Sequence, residues 1–382
     1  MSTSILGVGY RGVVDSALLA PSSSSEGQLV AWLASQIPDA SDVRLEDVAT
    51  VDIGHSAETI LLTVVWRTAA GEERCNAVLR LTPRGPGLLP PYDLQRQVTV
   101  LRCLEGTAVR APKVLWHDPT GTVLGREFYV MERVAGVAFE VDIPDDVAND
   151  PALARAQSFA FIDELAAIHN VDLVSAGLAD LADGRHHLER ELDHWESEIR
   201  RLQRGSLPAL ERLVEVLRER QPAQSDRVTL VHGDAKPGNV LFVGSEVAAI
   251  LDWELTSVGD PQTDIGWLEL MWAFPVGLPT VPGAPTIEEV LERYTVLTGI
   301  TLEHRSWHRG LQGLKMAVIN LSGSMLLDEG RTDDPKMVVL GHAVHYLTLM
   351  ALHEMGIDED LPSGPVTPRP ERVEYVMTKA QQ

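Results

Sequence analysis

Residues 228–253 read VTLVHGDAKPGNVLFVGSEVAAILDW, and the order of apolar runs and polar breaks in this stretch decides the fold. Val228–Val231 is a short apolar run of the length of a buried strand, and the polar loop HGDAKPGN follows it. Two more apolar runs then flank Gly244-Ser245, a pair that marks a hairpin turn. His232, Asp234 and Asn239 therefore fall on a loop between a strand and a hairpin, and Asp252 at the end of the hairpin's second strand. Four polar groups converge on one mouth. A carboxylate at a strand exit can take a proton from a substrate hydroxyl, while a second carboxylate and an amide oxygen five residues after the first can hold a hard cation such as Mg²⁺. Phosphoryl transfer needs such a set, because positioning and charge neutralisation do most of its work. Each residue alone is also an ordinary turn former; the ordered set is what points to chemistry.

Working outward toward the N-terminus, the strand-like runs Thr59–Trp66 and Cys75–Leu81 flank a turn at residues 69–73 and predict a small antiparallel sheet. A helical segment, Leu94–Leu104, separates them from a second strand pair around Val114–Trp116 and Phe128–Glu132. Before them, GQLVAWLASQI has a helical period, with Ser25 as its expected N-cap, and residues 1–26 are expected to be a flexible segment. Beyond Gly136 long helices dominate. Asp150 is placed to cap one that starts at Pro151 and carries Phe159, Ile162, Ala166 and His169 at helical spacing. The expected organisation is a lobe over 27–135 and a larger, mostly helical lobe over 136–382.

The chain has 382 residues, 45 % of them hydrophobic and 23 % charged, which suits a globular protein with a sizeable core. Its 32 basic residues, only five of them lysine, face 55 acidic ones. The formal net charge of −23 argues against nucleic acid or an anionic membrane as partner. Cys75 and Cys103 have no CxxC spacing, which excludes a disulfide framework and fits a reducing, cytoplasmic setting. The start MSTSIL lacks the basic residues of a secretory signal. Met337–Leu352, the most apolar run, falls short of a membrane span and is expected as a core helix. His186, His187 and His194 lie in a charged helical stretch without ligand spacing and are expected at the surface.

HGDAKPGNVLF, then ILDWE, then GDPQTDIGWL, resembles the Brenner-type and DFG-type motifs of the aminoglycoside phosphotransferase family of kinase-like enzymes, over about residues 27–350. The VLR and DWE style is similar to the subgroup found as the kinase-like part fused to acyl-CoA dehydrogenases. The resemblance implies a bilobal α+β protein-kinase-like fold, with the active site in the cleft between the lobes. It also implies transfer of the γ-phosphoryl group of ATP, or of GTP, to a hydroxyl of a small molecule, an aminoglycoside or similar. Asp234 would be the base, His232 a support of its loop, Asn239 and Asp252 the Mg²⁺ ligands, and Asp264 a brace from the next helix. Lys236 would reach the γ-phosphate, or is a solvated surface lysine. Gly54, His55 and Ser56 resemble the phosphate-covering loop, and Glu132-Arg133-Val134 the hinge whose backbone meets the adenine edge. Met131 would line the adenine pocket, or is a core methionine.

The sequence departs from the kinase pattern at two positions. Protein kinases pair a strand lysine with a helix glutamate, and here Arg80 and Gln97 fall nearest those places. A second reading therefore stays open: a catalytically reduced, kinase-like protein that binds a nucleotide or metabolite. Gly7, Gly9 and Gly12 fit GxGxxG but lack the preceding strand and following helix of a dinucleotide site. Trp267, Trp272, Phe274 and the region after Tyr294 are either a wall for the acceptor or core.

Overall fold

The computed structural model describes residues 13–14, 24–51, 57–83, 85, 87–182, 186–223, 225 and 227–380. The elements begin with β1 (Val13–Val14), α1 (Ser24–Gln36), β2 (Ser41–Val51), β3 (Glu58–Thr68), β4 (Gly71–Leu81) and α2 (Leu94–Leu104). Next come β5 (Val114–Asp118), β6 (Phe128–Glu132), α3 (Asp145–Ala148), α4 (Pro151–His169), α5 (His187–Leu202), α6 (Pro208–Glu219) and β7 (Thr229–Val231). The hairpin β8 (Val240–Val243) and β9 (Glu246–Ile250) and the strand β10 (Ser257–Gly259) precede α7 (Gln262–Ala273) and α8 (Ile287–Thr298). The chain closes with α9 (Arg305–Asp328), α10 (Lys336–Glu354) and α11 (Pro370–Lys379). This is an α+β protein of two compact units. One comprises Met1–Glu164, Pro237–Glu254 and Val281–Gly283, and the other Leu165–Lys236, Leu255–Thr280 and Ala284–Gln382.

The first unit is built on an antiparallel sheet of order β1-β2-β3-β4-β6-β5. β3 and β4 pair without interruption from Glu58↔Leu81 to Thr68↔Gly71, so both strands run past their apolar cores into polar ends, where Arg44 pairs with Glu72 and Arg74 with Glu46 of β2. The two-residue period sorts the side chains. Ile60, Leu62 and Val64 of β3, Ala77, Leu79 and Leu81 of β4, and Phe128 and Val130 of β6 form one apolar cluster with Leu29 and Leu33 of α1. Trp32 of α1 meets Phe128 edge-to-face at 5.0 Å. The opposite face carries Thr59↔Arg80↔Tyr129 in one row and Leu61↔Val78↔Met131 in the next. α1 starts at Ser24, one residue before the expected cap.

Two sets of backbone bonds tie the β8–β9 hairpin into this unit. Val137 and Phe242 exchange N–H···O bonds of 2.9 and 3.0 Å, and Ile250 N–H donates to Arg110 O at 2.7 Å. The first unit consequently extends beyond residue 135, to Glu164 within α4, and takes in a segment from a hundred residues downstream.

In the second unit α9 is buried along most of its length and packs on α5, α6, α7 and α10. At Gly313 a Cβ would lie 2.6 Å from the Ala351 Cβ, so the close approach of α9 and α10 requires glycine there. α10 covers the apolar run expected as a core helix and buries Met337, Val344, Leu347, Ala351 and Leu352. No helix among the described residues is long and apolar enough to cross a membrane. β7 and β10 pair antiparallel, Val231 opposite Ser257, which fixes the strand exit at His232.

Candidate active site

The second unit holds the loop that leaves β7. Asp264, in the first turn of α7, accepts the backbone N–H groups of His232 at 2.7 Å and Gly233 at 2.8 Å. His169 Nε2 lies 3.0 Å from the same carboxylate, and His169 Nδ1 lies 2.5 Å from the Tyr294 hydroxyl. Burial works to raise the Asp264 pKa, but the bonds and fields of His169 and His232 outweigh it and hold the carboxyl below its ordinary value. The Asp234 N–H donates to His232 Nδ1 at 3.2 Å, so a fully buried imidazole supports the residue that follows the turn. Gly233 sits at φ +85°, and a Cβ there would come within 2.3 Å of Leu255 O; only glycine fits this bend.

A lysine completes the clamp. Lys315, 3 % exposed in the middle of α9, donates from Nζ to the Gly233 carbonyl and lies 4.4 Å over the Trp267 ring. Burial pushes its pKa down from the usual lysine value, against the pull of Asp234, Glu191 and Asp264. Lys236 Nζ is 3.6 Å from Asp234 Oδ2. With the N–H groups of His232 and Gly233 and the Gly233 carbonyl all engaged, the backbone that carries Asp234 is held from both sides.

The first unit holds a pocket of about 150 Å³ against the second face of its sheet. Thr59, Arg80, Tyr129 and Met131 come from the strands, and Asn239 and Asp252 from the open end of the β8–β9 hairpin. Leu251 N–H donates to Asn239 O at 2.8 Å, which brings the two ends of the hairpin together. Asp252 has φ +64°, a left-handed backbone uncommon outside glycine, although aspartate tolerates it better than most residues. Its Oδ1 is buried and lacks a hydrogen bond among the described residues, with Arg80 Nη2 at 3.8 Å. An amide oxygen beside a carboxylate with lone pairs to spare suits a hard divalent cation that takes its remaining ligands from phosphate and water. No group of three or more His, Cys, Asp or Glu side chains among the described residues forms a metal cage of its own.

The hinge segment also lines this pocket, through Glu132, Arg133 and Val134. Two of its three N–H groups are committed inside the sheet, Glu132 to Lys113 O at 2.9 Å and Arg133 to Asn76 O at 3.0 Å. Gly54, His55 and Ser56 lie outside the described residues, as do Gly7, Gly9 and Gly12.

The sequence expectations need one correction. His187 is not at the surface. It is 3 % exposed, with Nε2 3.1 Å from Ser257 Oγ and Nδ1 accepting the Asp260 N–H, because its end of α5 turns its apolar face inward. Of the two readings open for Trp267, wall or core, its burial beneath Lys315 supports core, and Tyr294 is buried too, bonded to His169. Lys315 and Tyr129 went unrecognised in the sequence. A lysine inside the apolar run GLKMAVINL was the available signal for the first, and a tyrosine in register with Arg80 for the second.

A sequence profile described as the phosphotransferase enzyme family matches residues 56–305. Acyl-CoA dehydrogenase family member 10 of Mus musculus is 32 % identical over 235 residues, 58 % of this chain and 22 % of that protein. Acyl-CoA dehydrogenase family member 11 of Rattus norvegicus is 31 % identical over 243 residues, 60 % of this chain and 31 % of that protein. The chain thus spans less than a third of these relatives. Among solved structures, a Ralstonia eutropha protein named as an aminoglycoside phosphotransferase superposes with a TM-score of 0.71 at 23 % identity, over 86 % of this chain and 98 % of that one. A thermostable mutant of an aminoglycoside phosphotransferase, in ternary complex with ADP and hygromycin B, does so with a TM-score of 0.54 at 13 % identity, over 86 % and 98 %. These likenesses establish a kinase-like fold.

Proposed function

The chain belongs to the phosphotransferase enzyme family, and on that premise we propose that it moves the γ-phosphoryl group of ATP, or of GTP, to a hydroxyl of a small molecule, an aminoglycoside or a similar alcohol. The observation that carries this reading is the clamped loop. Asp234 stands on a backbone gripped by Asp264 and Lys315, and the same loop ends at Asn239, beside the pocket that Arg80 and Asp252 line. Rigid placement of a carboxylate is what a base for an alcohol requires.

Asp234 takes the proton of the acceptor hydroxyl as its oxygen bonds to the γ-phosphorus, and the bond to the bridging oxygen breaks to release the nucleoside diphosphate. Lys236 meets the γ-phosphate oxygens, and Arg80 those of the α- and β-phosphates. Asn239 and Asp252 would hold Mg²⁺, which when bound neutralises phosphate charge. Val134 N–H, the third hinge donor, serves the adenine edge, and Met131 packs on its ring. Such chemistry suits the reducing cytoplasm expected from cysteine usage.

The test is phosphate transfer from Mg²⁺-ATP and Mg²⁺-GTP to a panel of aminoglycosides, macrolides, choline-like alcohols and hydroxyacyl compounds. The last class is included because the similar proteins carry acyl-CoA in their names. Asp234→Asn is expected to lower kcat about 10³-fold while the protein still binds nucleotide; transfer that survives the change overturns the assignment. The absence of a lysine–glutamate pair at Arg80 and Gln97 favours the second reading, a nucleotide- or metabolite-binding protein without transfer. That reading takes over if nucleotide binds and no acceptor on the panel is ever phosphorylated.

A further inference from the structure

We infer that Tyr129 and Gln97 form an uncharged relay that positions Arg80 for the phosphates of the nucleotide, an inference that rests on the nucleotide reading of this pocket. Arg80 and Tyr129 stand directly opposite each other across β4 and β6, on the pocket face of the sheet. The Tyr129 phenol is 3 % exposed, faces Arg80 across the strand pair within the field of its guanidinium, and its hydroxyl donates to Gln97 Oε1 at 3.1 Å. Gln97 is 3 % exposed and is the polar member of the α2 face that buries Leu94, Val98 and Leu101. Asp93 caps that helix, its carboxylate taking the Arg96 N–H at 2.8 Å, which fixes where Gln97 stands. On its other side Arg80 donates to Thr59 Oγ1 at 3.3 Å.

The chemistry of the relay differs from that of an ion pair. A buried glutamate beside a guanidinium neutralises it, and an anionic ligand must then compete for the charge. A neutral phenol opposite the guanidinium, itself fixed by donating to an amide oxygen, orients the cation and leaves its full charge for phosphate. Burial raises the phenol pKa, against the lowering field of Arg80, so the hydroxyl stays a donor across the working pH range. Tyr129 and Gln97 are positioning residues: they act through Arg80.

Three variants separate positioning from packing, with Mg²⁺-ADP titrated calorimetrically and KM for ATP measured beside kcat. Tyr129→Phe and Gln97→Leu are expected to weaken nucleotide binding about ten-fold and to raise KM, with kcat within about two-fold of the parent. Gln97→Glu places a competing carboxylate near the guanidinium and is expected to weaken nucleotide binding at least as much as Gln97→Leu. A side chain that merely packs predicts parent-like affinity in Gln97→Leu, since leucine suits an apolar helix face. Wild-type affinity in Gln97→Leu, or in Gln97→Glu, overturns the relay. If the parent protein binds no nucleotide, the reading of the pocket fails and the relay with it; if the parent binds and the variants match it, the relay alone fails.

Discussion

Lys315 shows what a single buried charge does for this protein. An ammonium taken out of water is costly unless it is bonded, and here it is bonded to a loop carbonyl and covered by an indole. Lys315→Met keeps the packing on Trp267 and leaves the Gly233 carbonyl without its donor; kcat is expected to fall about ten-fold, with binding of nucleotide unchanged. The pH dependence carries a definite sign. Because the folded state lowers the Lys315 pKa below its unfolded value, the unfolded chain binds this proton more tightly. The parent therefore gains stability as pH rises from the folded pKa toward about 10.4, and the methionine variant lacks that gain. Denaturant midpoints of the two proteins at neutral and alkaline pH should diverge in favour of the parent; parallel curves would show that Lys315 does not titrate in this way. At this scale the sequence revealed residues that chemistry keeps close together along the chain. His232, Asp234 and Asn239 share one loop, whereas Lys315 reaches it from 82 residues away, a distance no local pattern encodes.

The elements themselves were legible where a period or a cap marks them. The β3–β4 pairing, the α2 span Leu94–Leu104 and the Pro151 start of α4 all follow from alternation, spacing and cap residues. α8 carries a capping box, in which Thr286 accepts the Glu289 N–H and the Glu289 carboxylate accepts the Thr286 N–H. The inward turn of His187 was not legible, because α5 is rich in charge and its buried stripe of Leu188, Leu192, Trp195 and Ile199 has to be found among it. Close helix contacts were equally hidden, since a glycine in a helix shows its reason only when the neighbour is known. Gly313→Val would press methyl groups into Ala351 of α10 and is expected to cost about 2–3 kcal/mol of stability in chemical denaturation. A loss below about 0.5 kcal/mol would mean that α9 and α10 can part without penalty.

For the whole molecule the dominant number is the net charge of −23, carried by a protein whose proposed substrate is itself an anion. Arg80 and Arg133 line the pocket proposed for that anion, but the field of the whole chain would repel it at long range. Raising ionic strength from about 10 to 150 mM shortens the screening length from about 30 to 8 Å, so the nucleotide on-rate is expected to rise over that interval. A falling on-rate would assign the approach to a cationic funnel instead. The division of the chain has a practical consequence for anyone who would take the protein apart. Cutting at the end of the first contiguous stretch, near Glu164, removes the β8–β9 hairpin and leaves Val137 and Arg110 facing no strand. A self-standing nucleotide module would therefore have to be made by grafting or by circular permutation, with the hairpin spliced back through an artificial linker. Evolution by simple shuffling of contiguous segments cannot trade half of this protein for another.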